Sequence, residues 1–217
     1  MISSLRCVSS SHDSALFIKC TDAGRIILFL YVDDMIITGD NIDDILVLKT
    51  ELTRRFKMKD LGYFRYFLGI EVAYSPRDYL LSQSKYVADI LERARLIDNK
   101  TVDTHIEVNT RYSSSDGLPL IDPTLYRTIV GSLIYLISTH PDIEYVVHVV
   151  SQFVASPTTV HWTTVLRILR YLRSTVFQSL LLSSTSFLKL RAYSDADHGS
   201  DLIDRKFVTG FCIFLIR

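Results

Sequence analysis

Apolar residues follow two rhythms along this chain: short continuous runs first, then positions spaced by three and four. The run Ile26-Ile27-Leu28-Phe29-Leu30 is rich in β-branched and aromatic side chains, and Met35-Ile36-Ile37-Thr38 follows four residues later. These runs predict strands over residues 25–31 and 35–38, with another over 15–19 joined through Thr21-Asp22-Ala23-Gly24. Together they form a three-strand antiparallel meander. Asp40 or Asn41 is placed to cap a following helix. Its apolar residues Ile42, Ile45, Leu52 and Phe56 share one face, and Gly62 lies past its end. Residues 64–73 and 79–81 predict a hairpin across Ser75-Pro76-Arg77-Asp78.

From Ser84 onward the helical rhythm dominates. A helix over residues 85–95 is capped by Ser84, and a polar connection runs through Asn99-Lys100 and residues 109–117. Asp122-Pro123 or Thr124 opens a helix reaching about Ser138, with Ile129, Leu133, Ile134 and Ile137 inward. Gly131-Ser132 inside it costs helix stability and suggests close packing against a neighbour. Pro141 suits the first turn of a third helix that ends before Ser156-Pro157. Thr158 or Thr159 opens a fourth, running to about Arg173. Beyond it Leu188, Leu190 and Ala192 alternate with polar neighbours as a strand does, and residues 207–215 predict a second strand. The fold class is α+β.

Composition sharpens this picture. Of 217 residues, 48% are hydrophobic, ample for a core, while 24 basic and 24 acidic residues cancel. Any basic surface must therefore be local, because the overall charge gives no attraction to phosphate. Cys7, Cys20 and Cys212 lack metal-ligand spacing and read as buried reduced thiols of an intracellular protein. No apolar run approaches the roughly 20 residues of a membrane span, and no apolar segment of a secretion signal follows Met1. The expectation is an intracellular, non-secreted protein without a membrane partner.

Candidate chemistry centres on Asp33 and Asp34, adjacent carboxylates at the predicted hairpin tip. Two carboxylates at one turn repel unless a cation lies between them, and oxygen donors suit a hard divalent ion such as Mg²⁺ or Mn²⁺. Phosphoryl transfer uses such sites. A solvated Asp-Asp turn is the other reading of the pattern. Arg167, Arg170 and Arg173 recur every three residues opposite Val165, Leu166, Leu169 and Leu172. They form either a row of phosphate contacts or a solvated basic face. Asp195 and Asp197 are a second carboxylate pair. His148 and His161 stand without ligand partners. Tyr63, Tyr66 and Phe67 read as sheet core rather than a base-stacking platform, and Ser82 with Lys85 as the start of a helix.

A longer series of words resembles a known family. Tyr31-Val32-Asp33-Asp34, Lys57-Met58-Lys59-Asp60-Leu61-Gly62, Tyr66-Phe67-Leu68-Gly69-Ile70-Glu71-Val72 and Leu81-Ser82-Gln83-Ser84-Lys85-Tyr86 occur in order. Tyr126-Arg127, Val130-Gly131-Ser132-Leu133-Ile134-Tyr135-Leu136, Pro141-Asp142-Ile143 and Arg167-Ile168-Leu169-Arg170-Tyr171-Leu172 follow, then Tyr193-Ser194-Asp195-Ala196-Asp197 and Thr209-Gly210-Phe211-Cys212. The series resembles the reverse transcriptase of copia-type retrotransposons. The resemblance implies a partial polymerase palm over 1–82, a helical thumb and connection region over 83–182, and a truncated start of a ribonuclease H-like sheet over 188–217. It implies that Asp33 ligates catalytic Mg²⁺ or Mn²⁺ with Asp34 in support, and that Asp195 matches the first ribonuclease H metal ligand. Arg167, Arg170 and Arg173 would follow an RNA or DNA template–primer. The family's third palm carboxylate has no match upstream of Tyr31, and neither Asp13 nor Asp22 fits the role. The isolated chain is therefore expected to be an inactive polymerase fragment, or else a nucleic-acid-binding remnant or a pseudogene product. Ser174, His198, Phe207, His105 and His140 depart from the family's usual residues. Ser174 is expected to strain a helix end that favours positive φ.

Overall fold

The computed structural model describes residues 7–96, 98–107, 112, 113, 115–183, 189–196 and 209–216. The chain is α+β, with antiparallel sheets and five α-helices among these residues. Leu188, Asp197, His198, Phe207 and residues 108–111 lie outside them. The chain divides into two compact units, Met1–Phe67 and Leu68–Arg217.

In the first unit, β1 (Val8–Ser9), β2 (Leu16–Thr21), β3 (Gly24–Tyr31) and β4 (Asp34–Gly39) form one antiparallel sheet in chain order. The expected meander is present, with β1 added at its edge. Gly24 has φ +141°, and a Cβ there would meet the Asp40 side chain at 2.6 Å, so the β2–β3 turn needs glycine. The helix α1 (Ile42–Phe56) starts at Asn41, whose side chain accepts from the Asp43 and Asp44 N–H groups. It ends at Lys57, which is left-handed at φ 53°, so Lys57 and not Gly62 turns the chain. Leu48 and Leu52 are its buried residues and pack with Cys7, Ile26 and Leu28. Ile42, expected on that face, is 75% exposed. It occupies the first helical position, ahead of the turn that the sheet covers. The unit closes with the two-residue β5 (Tyr66–Phe67).

In the second unit, β6 (Ile70–Tyr74) and β7 (Asp78–Ser82) pair across the expected Ser75–Asp78 turn, and β8 (Leu180–Ser183) joins β7. The strand expected over 64–73 is broken because Leu68 and Gly69 both have positive φ. The helices are α2 (Ser84–Arg93), α3 (Thr124–Leu136), α4 (Glu144–Ser151) and α5 (Thr159–Ser174), with a 3-10 turn at Pro141–Ile143 before α4. Gln83, not Ser84, precedes α2, and the Ser82 hydroxyl accepts from the Ser84 N–H. Val87, Ile129, Leu133, Val147, Ile168 and Leu172 belong to one fully buried core.

Three expectations for this unit need correction. Ile134 is 51% exposed, while Tyr126, Val130 and Leu136 are buried. A 3.6-residue repeat carries Ile134 about 100° round from Leu133, off the core-facing stripe. A Cβ on Gly131 would meet nothing within 4 Å, so close packing there is not the reason for glycine. Ser174 does not adopt positive φ; it ends α5 with its hydroxyl donating to the Tyr171 carbonyl at 2.7 Å.

The hairpin β9 (Lys189–Ala196) and β10 (Thr209–Ile216) pairs over eight residues, and every residue of β9 is exposed. No disulfide joins the three cysteines, and only Cys7 is buried; Cys20 and Cys212 are exposed on strands. Among the described residues no helix is long and apolar enough to cross a membrane.

Candidate functional site

The β3–β4 hairpin places Asp33 and Asp34 where the apolar runs end. Tyr31 pairs with Asp34, leaving Val32 and Asp33 as a two-residue turn. Val32 has φ 51° and is 80% exposed. A left-handed conformation is costly for a β-branched residue, and such a turn ordinarily has glycine at this position. Strain of this kind persists where surrounding structure enforces it. Here the Tyr31–Asp34 pair closes the turn, and an aromatic cluster lies beside Tyr31. Phe67 stands edge-on to Phe29 at 6.0 Å and to Tyr31 at 6.4 Å, with Phe64 at 6.0 Å.

Both carboxylates are exposed and line an open pocket of about 470 Å³. Its other walls come from α1 and from the loop between Lys57 and β5. Lys49, Lys59 and Arg65 bring positive charge to it, and Tyr63, Phe64 and Tyr66 bring rings. The loop is held by Asp60. Its carboxylate accepts from the Gly62 N–H at 2.9 Å and from Lys49 Nζ at 3.1 Å. These two bonds, the Gly62 one first, hold the Asp60 carboxyl below its ordinary value. Tyr63 and Tyr66, expected in the sheet core, are exposed, Tyr63 in the loop ahead of β5 and Tyr66 on the open face of that two-residue strand, and both line the pocket. Lys49, Lys59, Asp60 and Arg65 were not singled out as site residues from the sequence. The word running from Lys57 to Gly62 was the available signal.

Two adjacent carboxylates with a neighbouring cationic wall suit a divalent ion that also carries phosphate oxygens. Asp33 and Asp34 are the residues that would hold it. Among the described residues no group of three His, Cys, Asp or Glu side chains is placed to ligate a metal.

The other candidates lie in the second unit. Asp195 stands exposed on β9, opposite Gly210 of β10; Asp197 lies outside the described residues. Arg167, Arg170 and Arg173 do share one side of α5, but their guanidinium groups are engaged within the unit. Arg167 donates to the Thr104 carbonyl at 3.1 Å, the Thr104 hydroxyl at 2.9 Å and Glu107 at 2.9 Å. Arg170 donates to Asp98 at 2.8 Å, and Arg173 to the Asp98 carbonyl. The Arg170 hydrogen bond holds the Asp98 carboxyl below its usual range. His148 bonds Gln152, the residue that caps the end of its own helix. His161 and His140 are wholly buried, and burial pushes both imidazoles below their ordinary value.

Comparison with known proteins gives the family. Residues 1–108 match the family model for reverse transcriptase (RNA-dependent DNA polymerase). The Pol polyproteins of transposons RE2 and RE1 of Arabidopsis thaliana are 39% and 40% identical over 210 residues, 96% of this chain and 14% of each relative. An uncharacterized mitochondrial protein of the same plant is 39% identical over 188 residues, 87% of this chain and 78% of that protein. No solved structure matches significantly. The chain spans a small part of the polyproteins it matches, and its likeness to them runs through nearly its whole length. It belongs to the reverse transcriptase family carried by the Pol polyproteins of copia-type retrotransposons.

Proposed function

We propose that the β3–β4 turn is the carboxylate pair of a polymerase palm, with Asp33 as metal ligand and Asp34 as its support. The observation that carries this is the exposed acid pair on a strained turn beside a cationic, aromatic pocket. Mg²⁺ or Mn²⁺ bound there would neutralise charge on a transferring phosphoryl group, and an RNA or DNA template–primer is the partner in the whole polyprotein. Lys49, Lys59 and Arg65 would draw phosphate toward the pocket, while Asp60 fixes the loop that carries two of them. The first unit with β6 and β7 is the partial palm. The helices α2 to α5 form the thumb and connection region, and β9–β10 the start of a ribonuclease H-like sheet with Asp195 at its first ligand position.

A two-metal reaction needs more oxygen donors than one pair offers. The chain on its own should bind Mg²⁺ or Mn²⁺ weakly and leave a primer unextended. Calorimetry with each ion and a primer-extension assay test this. Tight binding lost in Asp33→Asn, or template-dependent incorporation lost in Asp33→Ala, would mean that further ligands complete the site.

A second reading, a non-catalytic remnant, draws support from the match to the uncharacterized mitochondrial protein, most of whose length the chain covers. The internal bonding of the α5 arginines also favours it. In this reading the stripe staples the segment from Asp98 to Glu107 and does not follow a duplex.

A further inference from the structure

The segment before α3 is docked on the start of α5. Thr159 N–H donates to the Leu118 carbonyl at 2.8 Å, Leu120 N–H to the Pro157 carbonyl at 3.0 Å, and Leu118 N–H to the Thr159 hydroxyl at 3.2 Å. Pro119 and Thr158 form an isolated antiparallel bridge. Gly117, at φ 79°, allows the approach, since a Cβ there would meet Thr159 Oγ1 at 2.7 Å.

His161 sits where these strands of contact meet. It is wholly buried and stacks on Phe153 with ring centroids 3.8 Å apart and planes 13° off parallel. Its Nδ1 accepts the Thr158 N–H at 3.1 Å, closing the capping box of α5 from the third helical position. That task ordinarily falls to Glu or Gln, which accept at any pH near neutrality. An imidazole accepts at Nδ1 only while that nitrogen is bare, so the ring is neutral with its proton on Nε2. A second proton would set an Nδ1–H donor against the Thr158 N–H, and the Thr158 hydroxyl, 3.1 Å from Nδ1, would have to turn from donor to acceptor to take it. The added proton would also place a positive charge at the start of a 16-residue helix, where the backbone dipole opposes it. The titratable groups facing the ring are Asp116 and Tyr112 of the preceding segment. Residues 152–158 and 159–166 carry no titratable side chain except His161 itself. A backbone hydrogen bond with Ser113 and, after it, the Asp116 carboxylate favour the charged ring; Asp116 is already engaged by the Ser113 N–H at 2.7 Å, and burial outweighs both.

We propose that His161 is an acid-labile latch: neutral, it holds segment 115–120 to the first turn of α5; protonated, it releases both. The folded imidazole is held below its ordinary value, so the unfolded chain takes up the proton more readily. The latch's stabilisation is complete above the ordinary imidazole value and is lost as pH falls through it toward the folded value. Within that window one proton changes the unfolding constant about tenfold per pH unit.

Trp162, the single tryptophan, adjoins the latch and lies 6.4 Å from the Tyr126 ring, so its fluorescence reports the event. Urea unfolding followed by Trp162 from pH 8 to pH 5 should show the pH slope of the wild type reduced by about one proton in His161→Gln. Gln keeps an acceptor for the Thr158 N–H and cannot take the proton. His140, also buried, is present in both chains, so the difference isolates His161. Equal slopes would overturn the latch. Should His161→Gln not fold, the NMR titration of the His161 ring in the wild type decides. A folded midpoint below the ordinary imidazole value supports the latch, and one at or above that value overturns it.

Discussion

Asp33 and Asp34 stand exposed at the end of a hairpin in the first unit, whereas Arg167, Arg170 and Arg173 in the second keep only about a quarter of their side-chain surface and are bonded within it. Sequence spacing alone gives both groups the same status, a row of like charges at regular intervals. The structure separates them by their partners. The acid pair has no cationic partner among the described residues and borders an open pocket, which leaves room for the ligand proposed for it. The arginines have carboxylates, a hydroxyl and carbonyls around them, the condition of a group that holds a fold together. The backbone repeats the contrast: Val32 takes an unfavourable φ at the acid turn, while α5 runs regularly under its arginines from a capped start.

The sharpest way to probe this contrast is to damage the core that supports the arginine side. Leu133→Ala should cost about 2–5 kcal/mol, because it opens a cavity in a closed core. Ile134→Ala, one residue along and half exposed, should stay within about 0.5 kcal/mol. Urea denaturation of the two variants measures the difference, and similar losses would mean that α3 presents another face.

Next in size is the arginine stripe itself. Arg170→Ala should lower the melting temperature and expose the segment around Asp98 to protease, because Asp98 loses its partner. The Asp98 carboxyl lies below its usual value in the fold. Its contribution is therefore present above the unfolded value and lost as pH falls through the folded one, so the deficit of Arg170→Ala should shrink in acid. Duplex binding gives the opposing test. If each arginine met a phosphate, the log–log salt slope would fall by about one unit per alanine. An unchanged slope together with a lower melting temperature is the outcome expected of a staple.

The smallest effect belongs to the acid turn. Val32→Gly relieves a left-handed β-branched residue worth about 1–2 kcal/mol. It also adds roughly 0.5–1 kcal/mol of unfolded-chain entropy. Thermal denaturation should show a variant as stable as the wild type or slightly more so. A clear loss would show that the valine side chain is held by contacts at the turn.

Much of the candidate site was readable from residue order. A β-branched run, two acids and a second apolar run suffice to predict a hairpin with carboxylates at its tip, because strand propensity and turn placement are local properties. The pocket beside it was not readable. Its walls come from α1 and the loop ending at β5, and neither the Lys49–Asp60 bond nor the exposure of Tyr63 follows from the residues on either side of them.

The sequence by itself determined the alternation of strands and helices, the start of α5 to within Thr158 or Thr159, and the family to which the chain belongs. Tertiary structure decided which residues of each helix are inside. Period 3.6 defines a stripe to within a residue or so, and only the neighbour's position selects Leu48 over Ile42 or Leu136 over Ile134. It also decided the meaning of the charges. Arg167 finds Thr104 and Glu107, and Arg170 finds Asp98, across 60 to 72 residues of chain; β8 finds β7 across a wider gap, Leu180 pairing with Leu81. Whether a charged side chain waits for a ligand or secures the fold depends on what lies within about 3 Å of it. That distance is set by chain packing, which no local pattern encodes.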